Sequence, residues 1–237
     1  HLVFTDHMVC CSHVSRCSSS YLSLGRYCTL RTNHEHQGQG RCRHWIGDVG
    51  TALSNGFLKH GFMVIRASRT PSKLDSWLDG VENKDKASTA TFGDASKGAE
   101  VIVLCVHGTK AESALELCGP ENLAGKTIID ATNPLCEPLK VEEGVLEFFT
   151  KPNESLMEIL QAKVPEGNFV KAFNSIGNGV MVDPDYDGIK PTMFICGNNS
   201  DAKTQVTEIL VEFGWDVSDM GAVQSARAIE QLCVLWC

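Results

Sequence analysis

The sequence predicts an α/β fold built on a doubly wound parallel sheet, and three observations lead to that prediction. Short apolar segments alternate with amphipathic ones from residue 47 to the end of the chain, as in a series of β-α-β units. Residues 101–106 are apolar at every position, which is typical of a strand buried on both faces of a parallel sheet. A Gly-x-x-Gly stretch at residues 47–50 leads into the first amphipathic helix, as in dinucleotide-binding folds.

The same periodicities place the elements in chain order. Helices are predicted from residue 52 to Gly61 and at residues 94–98, 110–117, 154–161, 202–213 and 222 onward. Strands are predicted at residues 62–65, 89–92, 101–106, 127–131, 169–173, 192–196 and 215–217. Pro138 and Gly144 interrupt the pattern, so the stretch from residue 135 to 152 is expected to be irregular. The final apolar run, residues 233–237, has no helix cap, which predicts a truncation there.

The glycine stretch is the second half of a dinucleotide-binding fingerprint whose first half is missing. The full Gly-x-Gly-x-x-Gly unit has a hydrophobic strand and one more glycine directly before it, but residues 41–46 read Arg-Cys-Arg-His-Trp-Ile. A one-base shift of the reading frame over residues 34–46 permits Met-Ser-Ile-Lys-Val-Lys-Val-Ala-Val-Val-Ile-Gly-Ser, which restores a start, a strand and the glycine. We therefore predict that a frame error or a mis-set exon boundary near residue 46 has removed the first strand. Reading the transcript tests this, and without that strand we expect weak or absent cofactor binding.

The composition changes at the same point in the chain. The first 44 residues hold five of the eleven cysteines, six of the eight histidines and no lysine. A zinc site is disfavoured, because the spacing of the clustered candidates fits no paired-ligand pattern: Cys10, Cys11, His13 and Cys17. We predict a non-native or disordered extension over residues 1–44, a Rossmann-like dinucleotide-binding domain over 45–165 and a C-terminal α/β portion over 166–237.

The charge balance disfavours nucleic-acid binding, and the hydropathy disfavours a membrane span. From Trp45 onward 27 acidic residues face 16 basic ones, which disfavours nucleic acid because its binding needs a positive face. No apolar run approaches the roughly 20 residues of a membrane span. The remaining cysteines are scattered in mostly apolar surroundings, as reduced core thiols are, so a cytoplasmic location is expected.

The ends of the first two predicted units indicate the ligand. The backbone amides of Gly47, Asp48, Val49 and Gly50, at the start of a helix, are expected to hold a pyrophosphate. NAD-specific proteins carry Asp or Glu about 20 residues further on, but this chain has a basic and hydroxyl-bearing segment there, with Ser68, Arg69, Thr70 and Lys73. These side chains suit the 2′-phosphate of NADP(H). The alternative is a solvated basic loop without a ligand.

Several motifs in order along the chain resemble one family. They are Gly47-Asp48-Val49-Gly50, Ser68-Arg69-Thr70, Asp130-Ala131-Thr132-Asn133-Pro134-Leu135, Lys171-Ala172-Phe173-Asn174, Met193-Phe194-Ile195-Cys196-Gly197-Asn198, Asp219-Met220-Gly221, Ala226-Arg227 and Glu230-Gln231-Leu232. The set resembles the deazaflavin-dependent NADP oxidoreductase family, whose relatives include the NADPH-binding domain of the STEAP metalloreductases. The resemblance covers residues 47–237 and departs from the family in the absent first strand and first glycine and in the missing tail.

The resemblance implies hydride transfer between NADP(H) and a flavin or deazaflavin acceptor. By position, the adenosine and ribose side is lined by Val106, His107 and Gly108. The nicotinamide side is approached by Thr132, Asn133, Pro134, Ala172, Phe173 and Asn174. No residue is assigned a catalytic role, since transfer between two stacked rings depends on proximity and orientation. For His107 a structural role is favoured over proton donation, and Asn174 either orients the cofactor amide or forms a turn.

Other functions stay open. The main alternative is a non-catalytic NADP(H)-binding redox sensor, or part of a larger reductase. An imine reductase of the pyrroline-carboxylate type is disfavoured, because this length leaves no room for that family's helical dimerisation domain. The expected partner is a small-molecule electron acceptor that the sequence does not identify, and a homodimer stays open.

Overall fold

The alternation of apolar and amphipathic segments produces strands and helices in the predicted order. The computed structural model describes residues 2–5, 8–11 and 45–236 of this chain. The strands of the main sheet are β1 (Leu2–Thr5), β2 (Met8–Cys11), β3 (Val64–Ala67), β4 (Ala87–Ala90), β5 (Val101–Leu104), β6 (Thr127–Asp130) and β9 (Asn168–Lys171). The longer helices are α1 (Trp45–Lys59), α7 (Ser200–Glu212) and α8 (Ala226–Trp236). The shorter ones are α2 (Asp75–Gly80), α3 (Phe92–Gly98), α4 (Ala111–Cys118), α5 (Pro120–Leu123) and α6 (Leu156–Lys163).

The sheet has the strand order of a doubly wound fold. The order is β4-β3-β1-β5-β6-β9, and every adjacent pair in it is parallel. The chain therefore moves outward from β1 in one direction and from β5 in the other. The crevice between β1 and β5 is the switch point, where ligands bind in such sheets. The predicted fold class is confirmed.

The place of the first strand is taken by a segment far from the glycine stretch in sequence. Val3 lies opposite Ile65 of β3 and Ile102 of β5, so β1 pairs the backbone edges of both neighbours, while β2 runs antiparallel to β5. Residues 12–44, which contain most of the predicted extension and of the proposed frame error, lie outside the described residues, as do His13 and Cys17 of the disfavoured zinc site. The frame error stays a prediction.

The last two predicted strands lie apart from the main sheet. Strand β10 (Thr192–Ile195) pairs in parallel with β11 (Asp216–Asp219) in a sheet of their own. One antiparallel bridge, between Lys171 and Cys196, connects this pair to β9. Gly197 makes the close approach possible, because a Cβ there would lie 2.5 Å from the Phe169 carbonyl oxygen.

The stretch predicted to be irregular contains a short hairpin. Strands β7 (Val141–Glu142) and β8 (Val145–Leu146) pair in antiparallel register. Glu143 and Gly144 form its turn with positive φ values of 48° and 87°. The turn explains why Gly144 marks a break in the helical and strand periodicity.

Two hydrophobic clusters cover the two faces of the sheet. One packs α1 and α7 on one face, with Leu53 and Phe57 against Phe213; the Phe57 and Phe213 ring centroids are 4.8 Å apart. The other packs α3, α4, α6 and α8 on the opposite face around Ile102 and Leu104. The first cluster contains residues from both sides of the predicted boundary at residue 165, and the division into two domains stays a prediction. Among residues 2–5, 8–11 and 45–236, no helix is long and apolar enough to cross a membrane.

Candidate functional site

The segments predicted to bind the ligand each follow the end of a parallel strand, and the four ends lie at the same edge of the sheet. The Ser68-Arg69-Thr70 segment follows β3, and Val106-His107-Gly108 follows β5. Thr132-Asn133-Pro134 follows β6, and Ala172-Phe173-Asn174 follows β9. Because parallel strands point their carboxyl ends the same way, the four segments lie side by side along that edge.

The glycine stretch does not form the predicted turn before helix α1. The helix begins at Trp45, so Gly47 to Gly50 lie inside it, and the Thr51 and Ser54 hydroxyls donate to the Gly47 and Gly50 carbonyls at 2.8 and 2.6 Å. Only the first four amides of a helix lack a carbonyl partner within it. The amide of Gly47 therefore stays available to an anion, whereas those of Asp48, Val49 and Gly50 are committed to the helix.

The basic segment after β3 presents two free charges. Arg69 and Lys73 are exposed, and within the described part of the chain neither forms an ion pair. Ser68 is buried, and its Oγ accepts a hydrogen bond from the Thr70 amide at 3.2 Å. The Ser68 hydroxyl thus fixes the turn that carries Arg69 outward, and it keeps its own hydrogen for a further acceptor.

His107 caps a short 3-10 turn directly after β5. Its Nδ1 accepts from the Thr109 amide at 3.4 Å and lies 2.9 Å from the Thr109 hydroxyl, which in turn donates to Glu137 at 2.9 Å. Lys110 also pairs with Glu137 at 3.0 Å. Partial burial lowers the pKa of His107, and the charge of Lys110 adds to this, although Glu137 opposes it. At neutral pH the ring is therefore uncharged and acts as a hydrogen-bond acceptor in the turn.

This environment gives a measurable expectation for His107. Its pKa should lie below the ordinary histidine value of about 6.5, because burial outweighs the carboxylate of Glu137. A titration of the histidine ring resonances by NMR measures it, with the His107→Gln variant identifying the signal. A pKa at or above that ordinary value would show that the Glu137 carboxylate dominates and would restore His107 as a proton donor.

Gly108 lets two strand ends meet. A Cβ at this position would lie 2.1 Å from the Asn133 carbonyl oxygen and 3.0 Å from a Leu156 methyl group. The loop after β5 therefore packs directly on the backbone of the loop after β6. Only a residue without a side chain permits this approach.

Replacing Gly108 with alanine should destabilise the protein by about 1–3 kcal/mol, as overpacking of a close contact does. The matched control is Gly98→Ala at the end of α3, where a Cβ meets no described atom within 4 Å. That control should be neutral or slightly stabilising. Urea denaturation measures the stability of the two variants. Equal stabilities would mean that the loops after β5 and β6 can move apart without loss of stability.

Asn133 and Asn174 join the ends of β6 and β9. The Asn133 Nδ2 donates to the Asn174 carbonyl at 2.7 Å, and the Asn174 Nδ2 donates to the Asn133 Oδ1 at 3.0 Å. The same Nδ2 donates to the Ile229 carbonyl of α8 at 3.0 Å. Phe173 turns the chain into this arrangement with a φ of 64°, which is uncommon for a residue other than glycine.

A buried charge network lies directly beneath the asparagine pair. The Lys171 Nζ is 2.8 Å from Asp130, 2.7 Å from Glu230 and 2.9 Å from the Thr132 carbonyl. The Lys171 and Asp130 side chains are fully buried and that of Glu230 is 2% exposed. Burial lowers the pKa of Lys171, but the two carboxylates outweigh it and raise that pKa above its ordinary value. The ammonium group is therefore charged at every pH below this raised pKa. The network contributes fully to stability at neutral pH.

Comparison with known proteins identifies the family and the fold. The family model described as "NADP oxidoreductase coenzyme F420-dependent" matches residues 46–134. A crystal structure of a protein assigned as an F420-dependent NADP reductase of Arthrobacter sp. FB24 superposes with a TM-score of 0.73 at 31% identity. The superposition covers 80% of this chain and 88% of the Arthrobacter chain. The chain belongs to the F420-dependent NADP oxidoreductase family.

Two further proteins are similar to the chain. The F420-dependent NADP reductase of Methanocaldococcus jannaschii is 27% identical over 163 residues, which are 68% of this chain and 67% of that protein. The metalloreductase STEAP3 of Rattus norvegicus is 28% identical over 186 residues, or 78% of this chain. The chain spans about a third of the length of that metalloreductase, 34%.

The buried network explains family motifs whose role the sequence alone does not give. Asp130, Lys171 and Glu230 belong to three separate motifs of the F420-dependent NADP oxidoreductase resemblance, and the fold brings them into direct contact. A signal was present, because a charged residue at the end of an apolar strand is rarely buried without a partner. The sequence does not say which charges pair, because Lys171 and Glu230 are 59 residues apart and meet only in the tertiary fold.

Proposed function

We propose that this chain binds NADP(H) and transfers a hydride between NADP(H) and a flavin or deazaflavin acceptor. The proposal rests on one juxtaposition in a member of the F420-dependent NADP oxidoreductase family. Two exposed cations without ion partners in the described chain follow β3, and the Asn133–Asn174 pair joins β6 to β9 on the same carboxyl edge. A dinucleotide extended across the switch point would meet both.

The β3 end suits the adenosine half of the cofactor. Arg69 and Lys73 can pair with a 2′-phosphate, and Ser68 holds the turn that presents Arg69. The absence of Asp or Glu at this turn removes the group that would accept from an unmodified ribose. NADP(H) is therefore preferred over NAD(H).

The centre of the edge suits the pyrophosphate and the adjoining ribose. The Gly47 amide is in the first turn of α1, where the helix dipole favours negative charge. Gly108 keeps the loop after β5 flat against the Asn133 backbone, so no side chain from this position projects into the crevice.

The β6 and β9 ends suit the nicotinamide. When bound, the reduced nicotinamide supplies a hydride. Asn133 and Asn174 hold each other in a fixed orientation, and within the described residues the Asn174 Oδ1 has no partner, so it can accept from a carboxamide. Pro134 and Phe173, the chain neighbours of the pair, are buried, which would limit the access of water to it. Orientation and water exclusion are the contributions that this reaction needs from the protein.

The experiment that tests this function is turnover by the full chain and by a version with the reading frame restored before Gly47. NADPH deuterated at the transferred position is mixed with FMN, FAD or a deazaflavin, and loss of the reduced-nicotinamide absorbance is followed. We expect oxidation with at least one acceptor by the restored version and, with a deazaflavin, deuterium in the reduced product, while the unrestored chain should be slower or inactive. Binding of NADPH without oxidation by any of the three would reject hydride transfer to this class of acceptor.

One observation favours a second function. Because the chain spans only 34% of the metalloreductase that it resembles, its NADPH-binding unit also suits a role as one part of a larger reductase. In that case NADPH would bind with the same preference for the 2′-phosphate, and turnover would appear only with the remaining part of the reductase present.

A further inference from the structure

The buried network connects helix α8 to the loops on the nicotinamide side of the proposed site. The three hydrogens of the Lys171 ammonium go to Asp130 on β6, to the Thr132 carbonyl and to Glu230 on α8. Glu230 also accepts from the Leu156 and Met157 amides at the start of α6, at 2.9 and 3.1 Å. One side chain on α8 therefore holds α6 and, through Lys171, the ends of β6 and β9.

A second link runs from the neighbouring residue of α8 to the asparagine pair. The Asn174 Nδ2 donates to the Ile229 carbonyl and also to the Asn133 Oδ1. Thr132 is fixed at the same time, because its amide and hydroxyl donate to Asp130 at 2.9 and 2.6 Å. Residues 229 and 230 of α8 are thus linked by hydrogen bonds to both loops, directly at Asn174 and through Lys171 at Thr132.

The composition of this network suits a role in fixing one arrangement of the chain. Two carboxylates and one ammonium are buried, and apolar side chains of similar volume are often at least as stabilising as such a group. Buried charges instead fix one arrangement, because any displacement leaves a charge without its partner. The arrangement fixed here is that of the Thr132-Asn133 and Asn174 backbone.

We propose that Lys171 and Glu230 are positioning residues for the cofactor, and that they act by holding the Asn133–Asn174 pair in register with helix α8. This inference rests on the proposed function, since it assigns the nicotinamide half of NADP(H) to that pair. Neither residue contacts the ligand itself. Weakening the Lys171–Glu230 contact should therefore impair recognition of the nicotinamide half and leave the adenosine half unaffected.

The test compares two ligands in three proteins. NADPH and 2′-phospho-ADP-ribose, which lacks the nicotinamide ring, are titrated calorimetrically into the wild-type chain and into the Glu230→Gln and Arg227→Gln variants. Arg227→Gln is the matched control, because Arg227 also links α8 to α6, through Glu158 at 2.6 and 2.9 Å, but at the surface and without contact to Lys171. Glu230→Gln retains the shape of the side chain and removes its charge.

We expect Glu230→Gln to bind NADPH about tenfold more weakly, which corresponds to a positioning effect transmitted through one contact. It should bind 2′-phospho-ADP-ribose like the wild type, and Arg227→Gln should bind both ligands like the wild type. Equal weakening of both ligands by Glu230→Gln, or no change in either, would overturn the inference. If the wild type bound neither ligand, the same comparison would be made with the reading frame restored before Gly47. Binding of neither ligand by that version would mean that the proposed function itself fails, which is a separate outcome.

A second variant covers the case in which the Gln substitution prevents folding. Glu230→Asp keeps the charge and shortens the side chain, so the Lys171 contact is weakened and the carboxylate remains. It should show the same selective loss for NADPH. If neither variant folds while Arg227→Gln does, the network would serve stability alone, and the positioning role would be rejected.

Discussion

Replacing Lys171 with methionine is expected to lower the free energy of unfolding by about 3–5 kcal/mol, the range measured when one partner of a buried ion pair is removed. Asp130 and Glu230 would share no cation, although their side chains are at most 2% exposed. The Thr132 carbonyl would lose its donor as well. Urea denaturation of the variant and the wild type at neutral pH measures the loss.

Lys163→Met is the matched control for this substitution. Lys163 also pairs with two carboxylates, Glu112 at 3.1 Å and Glu116 at 2.7 Å, but these pairs lie in contact with solvent. The loss should be much smaller, because exposed ion pairs contribute little. The triple change Asp130→Asn, Lys171→Met and Glu230→Gln should recover part of the stability by removing the unpaired charges. Equal losses for Lys171→Met and Lys163→Met would contradict the account of the network.

Replacing both Arg69 and Lys73 with alanine is expected to weaken NADPH binding by about a hundredfold and to leave NADH binding unchanged. A hydrogen bond to a charged group contributes about 1.5–3 kcal/mol, and solvent exposure places each of these toward the lower value, near tenfold apiece. The Arg69 substitution alone should have the larger effect, because guanidinium binds phosphate in a bidentate manner. Titration by nicotinamide fluorescence measures the wild type, the two single variants and the double variant.

Lys97→Ala provides the control for loss of positive charge. Lys97 lies at the end of α3, directly before β5, and so at the opposite, amino-terminal edge of the sheet. Its removal should change neither affinity. If the Arg69 and Lys73 substitutions weakened NADH and NADPH equally, the basic segment would be a solvated loop or a structural element and not the 2′-phosphate site.

The positions of the site segments could be predicted from the sequence because they follow strands with strong apolar patterns. Strand β5 is apolar on both faces and β6 is nearly so, and a parallel strand places whatever follows it at the carboxyl edge. The predictions for Thr132 and His107 as residues of that edge depend on nothing more. Their roles toward a cofactor stay predictions.

The start of α1 and the placement of β10 and β11 could not be predicted in this way. Gly47 and Gly50 are compatible with a turn or with a helix. The structure extends the helix by two residues before Gly47, to Trp45, which the glycine pattern does not predict. A short apolar strand such as β10 would have the same hydrophobic pattern in the main sheet as in its separate pair with β11. The bridge to Lys171 and the close contact at Gly197 place it beside β9 in a separate pair.

The partners within the site could not be predicted because they depend on long-range contacts. Asn174 is predicted to orient a ligand or to form a local turn, and the sequence does not show that its side chain donates to Asn133 and to the Ile229 carbonyl. These partners are 41 and 55 residues away in sequence. Sequence patterns specify which face of an element is buried, and they do not specify which polar groups meet across the sheet.

The most direct test is the titration of NADPH and NADH, by nicotinamide fluorescence, into the full chain and into a version with the reading frame restored before Gly47. We predict that NADPH binds well ahead of NADH in the restored version, whose first strand and glycine complete the fingerprint. Weaker binding by the unrestored chain, with the same preference for NADPH, would agree with the predicted frame error. Binding of neither nucleotide by either protein, or a preference for NADH, would contradict NADP(H) recognition at this edge of the sheet.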